Sequence, residues 1–232
     1  MTLFILLLYR LIFRCRYFLI FHFFFTASCA PSDSLFLLKF KDSLQIDNAS
    51  SLPLLLATWN ASTAPCSGRA ANWIGLLCNR EGRVWGIRLE NMALNGLIDV
   101  HSLKSLPHLR TLSFMQNHFH GPLPAIAQLG ALKSLYLSGN RFSGALDNAM
   151  FLGMASLKKL HLADNQLEGG IPVSLALLPK LIELRLEGNR FEGPVPDFTR
   201  RTWLSFNLSN NELHGRVPPG LTKLNASSFY GN

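Results

Sequence analysis

Between residues 84 and 211 the apolar positions recur in one spacing: apolar, two others, apolar, one other, apolar, two others, Asn. Leu109, Leu112, Phe114 and Asn117 set the frame. It returns as Leu132, Leu135, Leu137, Asn140 and as Leu157, Leu160, Leu162, Asn165. Two further copies are Leu181, Leu184, Leu186, Asn189 and Trp203, Phe206, Leu208, Asn211. A weaker first copy, Val84, Ile87, Leu89, has Met92 in the closing place. The closing positions are separated by 25, 23, 25, 24 and 22 residues. Two apolar side chains one residue apart point to the same face of a short strand, and the residue between them points out. No copy can bury such an edge alone, so stacked copies must share one core. The closing Asn marks where the chain leaves the strand, and its amide can satisfy backbone groups that the turn takes out of the ladder.

This spacing is that of the leucine-rich repeat, and it predicts six repeats over 84–219. A second periodic feature follows each Asn. It reads Phe119-x-Gly121-x-Leu123-Pro124, Leu167-x-Gly169-x-Ile171-Pro172, Phe191-x-Gly193-x-Val195-Pro196 and Leu213-x-Gly215-x-Val217-Pro218. The extension resembles the plant-specific class of these repeats, which implies a second short strand in each. Two repeats place Asp99 and Asp147 where the others have Pro. Asp is a good helix N-cap, so a helical turn is expected after each.

Residues 1–30 stand apart. Two apolar runs are interrupted by Arg10, Arg14 and Arg16, and the small residues Ala27, Ser28 and Ala30 follow. Each arginine would cost about 2.5–3.5 kcal/mol at mid-bilayer, so a cleaved secretory signal is favoured over a retained anchor. Cys15 and Cys29 leave with it. Cys66 and Cys78 then meet an oxidising compartment, which favours a disulfide over a metal pair. Asn-x-Ser sequons at Asn48, Asn60, Asn207 and Asn225 fit the same route. Within 31–83, the segment 32–44 reads as a helix with Leu35, Phe36, Leu38 and Phe40 on its apolar face, capped by Ser32 or Asp33. A shorter helix is expected after Ser51, with Pro53 in its first turn, ending near Trp59. Trp59 and Trp73 read as core.

The layout LLKFKDSL, LATWN, PCS, NWIGLLC resembles the N-terminal cap of plant leucine-rich-repeat receptors. The repeat segments, among them WGIRLENMALNGLID, LKSLYLSGNRFSG and LPKLIELRLEGNRFEGPVPDF, resemble the ectodomain of the pollen receptor-like kinases from about Ser34 onward. The fold so implied is an α/β leucine-rich-repeat solenoid with a helical, disulfide-bonded cap. The resemblance further implies a receptor exposing these repeats outside the plasma membrane, binding a secreted peptide or protein, with a co-receptor as a further partner. The family continues into a membrane helix and a kinase-like domain. Here 220–232 reads as a truncated C-terminal segment that leaves the last repeat incompletely covered. The chain is then a truncated gene product or a short secreted form. A secreted inhibitor of wall-degrading enzymes and a decoy or structural wall protein are the rival readings.

Charge narrows this little. The formal charge is +8, and loss of residues 1–30 lowers Lys plus Arg from 22 to 19 against 14 acids. So mild an excess does not indicate nucleic acid. The outward strand positions do gather cations. Arg110, Lys133, Tyr136, Lys158, His161 and Arg185 are the expected ligand contacts on the concave face, with Glu183 and Glu187 interrupting them. His118 and His120, near His101 and His108, share no carboxylate or Cys in their repeat, so no metal is expected. Asp164 and Glu187 read as solvated outward carboxylates, and no nucleophile motif is present. No catalytic role and no cofactor are expected.

Overall fold

In the computed structural model, residues 32–46, 56–198 and 202–232 are described. Asn48 and most of the helix expected after Ser51 lie outside them; Leu56 to Thr58 form a turn that delivers Trp59. Helix α1 (Asp33–Ser43) leads into β1 (Gln45–Ile46). β2 (Cys66–Ser67) and β3 (Ala70–Ala71) pair antiparallel, and Cys66 is disulfide-bonded to Cys78 at the end of β4 (Leu76–Cys78). From there each repeat sends one strand to each of two sheets. The pairs are β5 (Val84–Arg88) with β6 (Leu94–Gly96), β7 (Thr111–Ser113) with β8 (His118–Gly121), and β9 (Ser134–Tyr136) with β10 (Arg141–Ala145). They continue as β11 (Lys159–His161) with β12 (Gln166–Gly170), β13 (Glu183–Arg185) with β14 (Arg190–Gly193), and β15 (Ser205–Asn207) with β16 (Glu212–Leu213). The odd-numbered strands β5 to β15 run parallel in one seven-stranded sheet closed by antiparallel β4, and the even-numbered strands β6 to β16 run parallel in the other, closed by antiparallel β1.

The two sheets enclose a single core. Leu112, Leu135, Leu160 and Leu184 are level in the register and at most 1% exposed. Phe114, Phe119 and Phe142 form an aromatic line, with centroids 5.4 and 6.4 Å apart. Phe40 of α1 stacks on Phe114 at 5.5 Å, which joins the cap to that line. This contact fixes how α1 is rotated. Leu37 and Phe40, one turn apart, are its buried residues, whereas Leu35 is 45% exposed and Phe36 and Leu38 are half-buried. The expected apolar face therefore missed Leu37. Asp33 accepts a hydrogen bond from Val84 N at 3.1 Å, pinning the start of α1 to β5. Trp59 and Trp73 are buried and stacked at 5.6 Å, and their indole N–H groups donate to Ile74 O and Thr63 Oγ1.

Both departures from proline cap helical turns. Asp99 accepts from His101 N and Ser102 N ahead of α2 (Val100–Leu103). Asp147 accepts from Ala149 N ahead of a 3-10 turn, Asn148–Phe151. The repeat with Pro172 instead forms a short helix, α3 (Val173–Leu177), without a side-chain cap.

The asparagines form a buried ladder. Asn165 Nδ2 donates to Leu162 O in its own repeat and to Leu137 O in the one before, while its Oδ1 accepts from Phe142 N. Asn140, Asn189 and Asn211 repeat that arrangement. The ladder does not stop at Asn211. Asn232 Nδ2 donates to Phe229 O and Leu208 O, and its Oδ1 accepts from Leu213 N. Backbone bonds from Leu208 N to Ser228 O and from Asn210 N to Tyr230 O lay the last residues along β15. The segment expected to leave the final repeat incompletely covered pairs with that strand. Among the described residues no helix is long and apolar enough to cross a membrane.

Candidate functional site

The outward residues of the sheet containing β5 to β15 stand in columns set by its register. A first column, one residue before β7, β9, β11, β13 and β15, is tied together by successive backbone hydrogen bonds. Arg110 N donates to Trp85 O, Lys133 N to Arg110 O, Lys158 N to Lys133 O, Ile182 N to Lys158 O and Leu204 N to Ile182 O, at 2.7–2.9 Å. The next column holds Ser134, Lys159, Glu183 and Ser205 at one level. A third holds Arg88, Ser113, Tyr136, His161, Arg185 and Asn207. The six expected contacts thus divide between two columns, one just before the strands and one on their outward face. Arg110, Lys133 and Lys158 lie in the first, and Tyr136, His161 and Arg185 lie in the third.

The two columns differ electrostatically. Glu183 accepts from Lys159 Nζ at 2.8 Å and from His161 Nε2 at 3.1 Å. The His161 ring meets Tyr136 edge-on, centroids 4.8 Å apart. Arg185 is held by Glu187, and Arg88 faces Glu90 at 3.5 Å. Burial pulls His161 below its ordinary value, outweighing the pull of Glu183 in the other direction. Burial also lifts Glu183, but the bonds from Lys159 and His161 outweigh it and hold that carboxyl below the usual range. The hydrogen bond that Lys159 donates to Glu183 raises Lys159, and the one that Arg185 donates to Glu187 raises Arg185. The third column is therefore largely neutralised from within. In the first, Arg110 donates only to the carbonyls of Pro107 and Leu109. Among the described residues Lys133 and Lys158 meet no carboxylate, and both are exposed.

Glu187 departs from the expectation of a solvated carboxylate. It is 9% exposed, level with buried Ala163 and Ser209, and its Oε2 is buried without a hydrogen-bond partner among the described residues. Its other oxygen, Oε1, accepts from Arg185 Nε at 2.7 Å. Sequence reasoning also passed over Trp85, Ile182 and Leu204 on this face. Leu204 is 70% exposed, and a large apolar residue at an outward position was the available signal.

The sequons within the described residues sit in different places. Asn60 and Asn225 are turn residues whose Oδ1 atoms accept from Ser62 N and Ser227 N. Asn207 is on β15, beside Arg185 in the third column. His118 and His120 lie on β8 in the other sheet, where an open recess is lined by Gln45, Gly96, Leu97 and His120.

Comparison with known proteins places this arrangement. A family model described as leucine rich repeat N-terminal domain matches residues 30–79, and one described as leucine rich repeat matches 130–191. Pollen receptor-like kinase 2 of Arabidopsis thaliana is 47% identical over 209 residues, which is 90% of this chain and 31% of that protein. The chain thus spans about a third of the length of this curated relative. The crystal structure of a Pollen Receptor Kinase 3 superposes with a TM-score of 0.75 at 38% identity, covering 84% of this chain and 92% of the solved one. The Arabidopsis receptor kinase HAESA, solved in complex with the peptide hormone IDA and the co-receptor SERK1, gives a TM-score of 0.70 at 27% identity, covering 82% of this chain and 31% of HAESA. The chain belongs to the pollen receptor-like kinase family, as a leucine-rich-repeat ectodomain.

Proposed function

We propose that this chain is the extracellular ligand-binding part of a plant receptor-like kinase, and that the outward face of the β5–β15 sheet receives a secreted peptide or protein. The observation that carries this reading is the register itself. Residues up to about a hundred positions apart in sequence are brought to one surface by stacking, as solenoids do at their binding faces. HAESA, a structural relative, is solved with a peptide hormone and a co-receptor, which supports a peptide ligand and a second receptor chain as the partners here. A cleaved signal over 1–30 and a membrane helix and kinase-like domain beyond residue 232 complete the receptor. A glycan on Asn207 would stand at the end of the face and confine the footprint to the repeats before it.

The test is amide hydrogen exchange on the secreted, glycosylated chain, with and without fractionated secreted plant peptides. Slowed exchange should concentrate in β7 to β13. Protection confined to α2, α3 and the 3-10 turns would overturn the reading.

A further inference from the structure

The outward columns and the line of residues just before the strands carry two kinds of cation, and only one kind is available. Arg88, Lys159 and Arg185 each have a glutamate of their own. A ligand carboxylate there would compete with an existing pair and strand a half-buried Glu183 or a buried Glu187. Arg110, Lys133 and Lys158 have no such partner, so their charge can be answered from outside. The same column then turns apolar, at half-buried Ile182 and at Leu204, 70% exposed. It is one hydrogen-bonded line of peptides, aromatic at Trp85, cationic for the next three repeats and apolar for the last two.

We propose that this line is the docking track for an extended acidic segment of a secreted protein or peptide that carries an apolar residue at one end. The inference rests on the ligand-binding reading above and narrows it. Spacing sets the motif. Neighbouring strands lie about 4.8 Å apart, so three cations span about 10 Å, and Leu204 lies about 10 Å beyond Lys158. An extended ligand advances about 3.3 Å per residue. It therefore presents two or three acidic residues within a run of four, and an apolar side chain about three residues further on. The acidic part lies over Arg110 to Lys158, and the apolar residue lies against Ile182 and Leu204. The segment crosses the strands at right angles and makes its contacts through side chains. The Tyr136–His161–Glu183–Lys159 cluster borders the track as a rigid wall whose charges are already matched.

The experiment uses a synthetic ten-residue peptide with three acidic residues followed, after a two-residue gap, by Leu. Two companions replace the acids by Gln or the Leu by Ser. A fourth probe is an acidic wall saccharide, oligogalacturonate. Binding is measured by fluorescence polarisation at 0.05 and 0.15 M salt, on variants whose melting curves match the parent chain. The acidic–Leu peptide should bind most tightly, and Lys133→Glu with Lys158→Glu should weaken it about tenfold at the lower salt. Lys159→Gln should change it less than twofold. Leu204→Ser should weaken the Leu peptide and leave its Ser companion unchanged, the signature of a direct pair. Equal binding of the acidic and Gln peptides overturns the proposal. So does oligogalacturonate binding that needs the lysines but ignores Leu204 and exceeds that of the peptide. If Tyr136→Ala abolishes peptide binding while the lysine pair does not, the track is wrong and the face remains the ligand site.

Discussion

The residue that precedes each ladder asparagine shows how narrowly a single position is specified. Gln116, Asp164 and Asn210 hold φ of 53–55°, and Gly139, Gly188 and Gly231 in the same place hold 67–74°. A side chain added at Gly188 would come within 2.4 Å of Asp164 Oδ1. Gly188→Ala should therefore destabilise by about 1–2 kcal/mol or more, since strain and crowding act together; denaturant titration measures it. Inward and outward positions should separate cleanly. Leu160→Ala or Leu184→Ala should cost about 2–5 kcal/mol, and Lys158→Ala should stay within about 0.5 kcal/mol. Equal losses would mean that the register is misread. His161 gives a pH test. Burial holds it below 6.5, so below that pH the unfolded chain takes up a proton that the folded chain resists. Stability should rise with pH across that window and be lost as pH falls through it. His161→Gln should flatten that limb in melting curves from pH 7.5 to 5. Glu183 has the opposite partner chemistry but the same direction: its contribution is present above 4.5 and lost below. None of this pairing was legible in the sequence. Lys159 and Glu183 meet because two repeats are in register, and a shift of one residue would separate them.

At the scale of the element, the strand positions followed directly from the L-x-L spacing, because an alternation of period two admits one inward face. The caps were legible for a similar reason: Asp at the first position of a turn has one good use. Asp99→Ala and Asp147→Ala should each lower stability by about 1 kcal/mol, read as a shift of the denaturant midpoint without a change in slope. Helix α1 was harder. Its sequence offers apolar residues on every side, Leu35, Phe36, Leu37, Leu38 and Phe40, so periodicity could not say which faced inward. The choice was made by tertiary contacts, the stacking of Phe40 on Phe114 and the tie from Asp33 to Val84. The candidate site divides in the same way. That Tyr136, His161 and Arg185 share a column was readable from the spacing; that they are neutralised or packed, while Arg110, Lys133 and Lys158 meet no carboxylate among the described residues, depends on neighbours about two dozen residues away.

Over the whole molecule, the final step of the ladder escaped notice because its strand frame is interrupted. Leu224, Phe229 and Asn232 keep the spacing, but Ser227 stands where the other repeats have an inward apolar residue. Backbone pairing and the asparagine carry the repeat without it. Removing 225–232 should therefore expose a working part of the fold. Amide exchange at Leu208 and Asn210 should accelerate in the shortened chain, while Leu135 keeps its protection. Unchanged exchange at Leu208 would show that the tail covers nothing.

The asparagine bonds that cross from one repeat to another all reach backward. Asn165 answers the carbonyl of Leu137 and the N–H of Phe142, and Asn189 does the same for Leu162 and Leu167. Each repeat is thus finished by the asparagine of its successor. A chain that emerges from its N-terminus always has one unfinished turn, the most recent, and every earlier turn is already closed. Synthesis and assembly then run in the same direction, one repeat out of step.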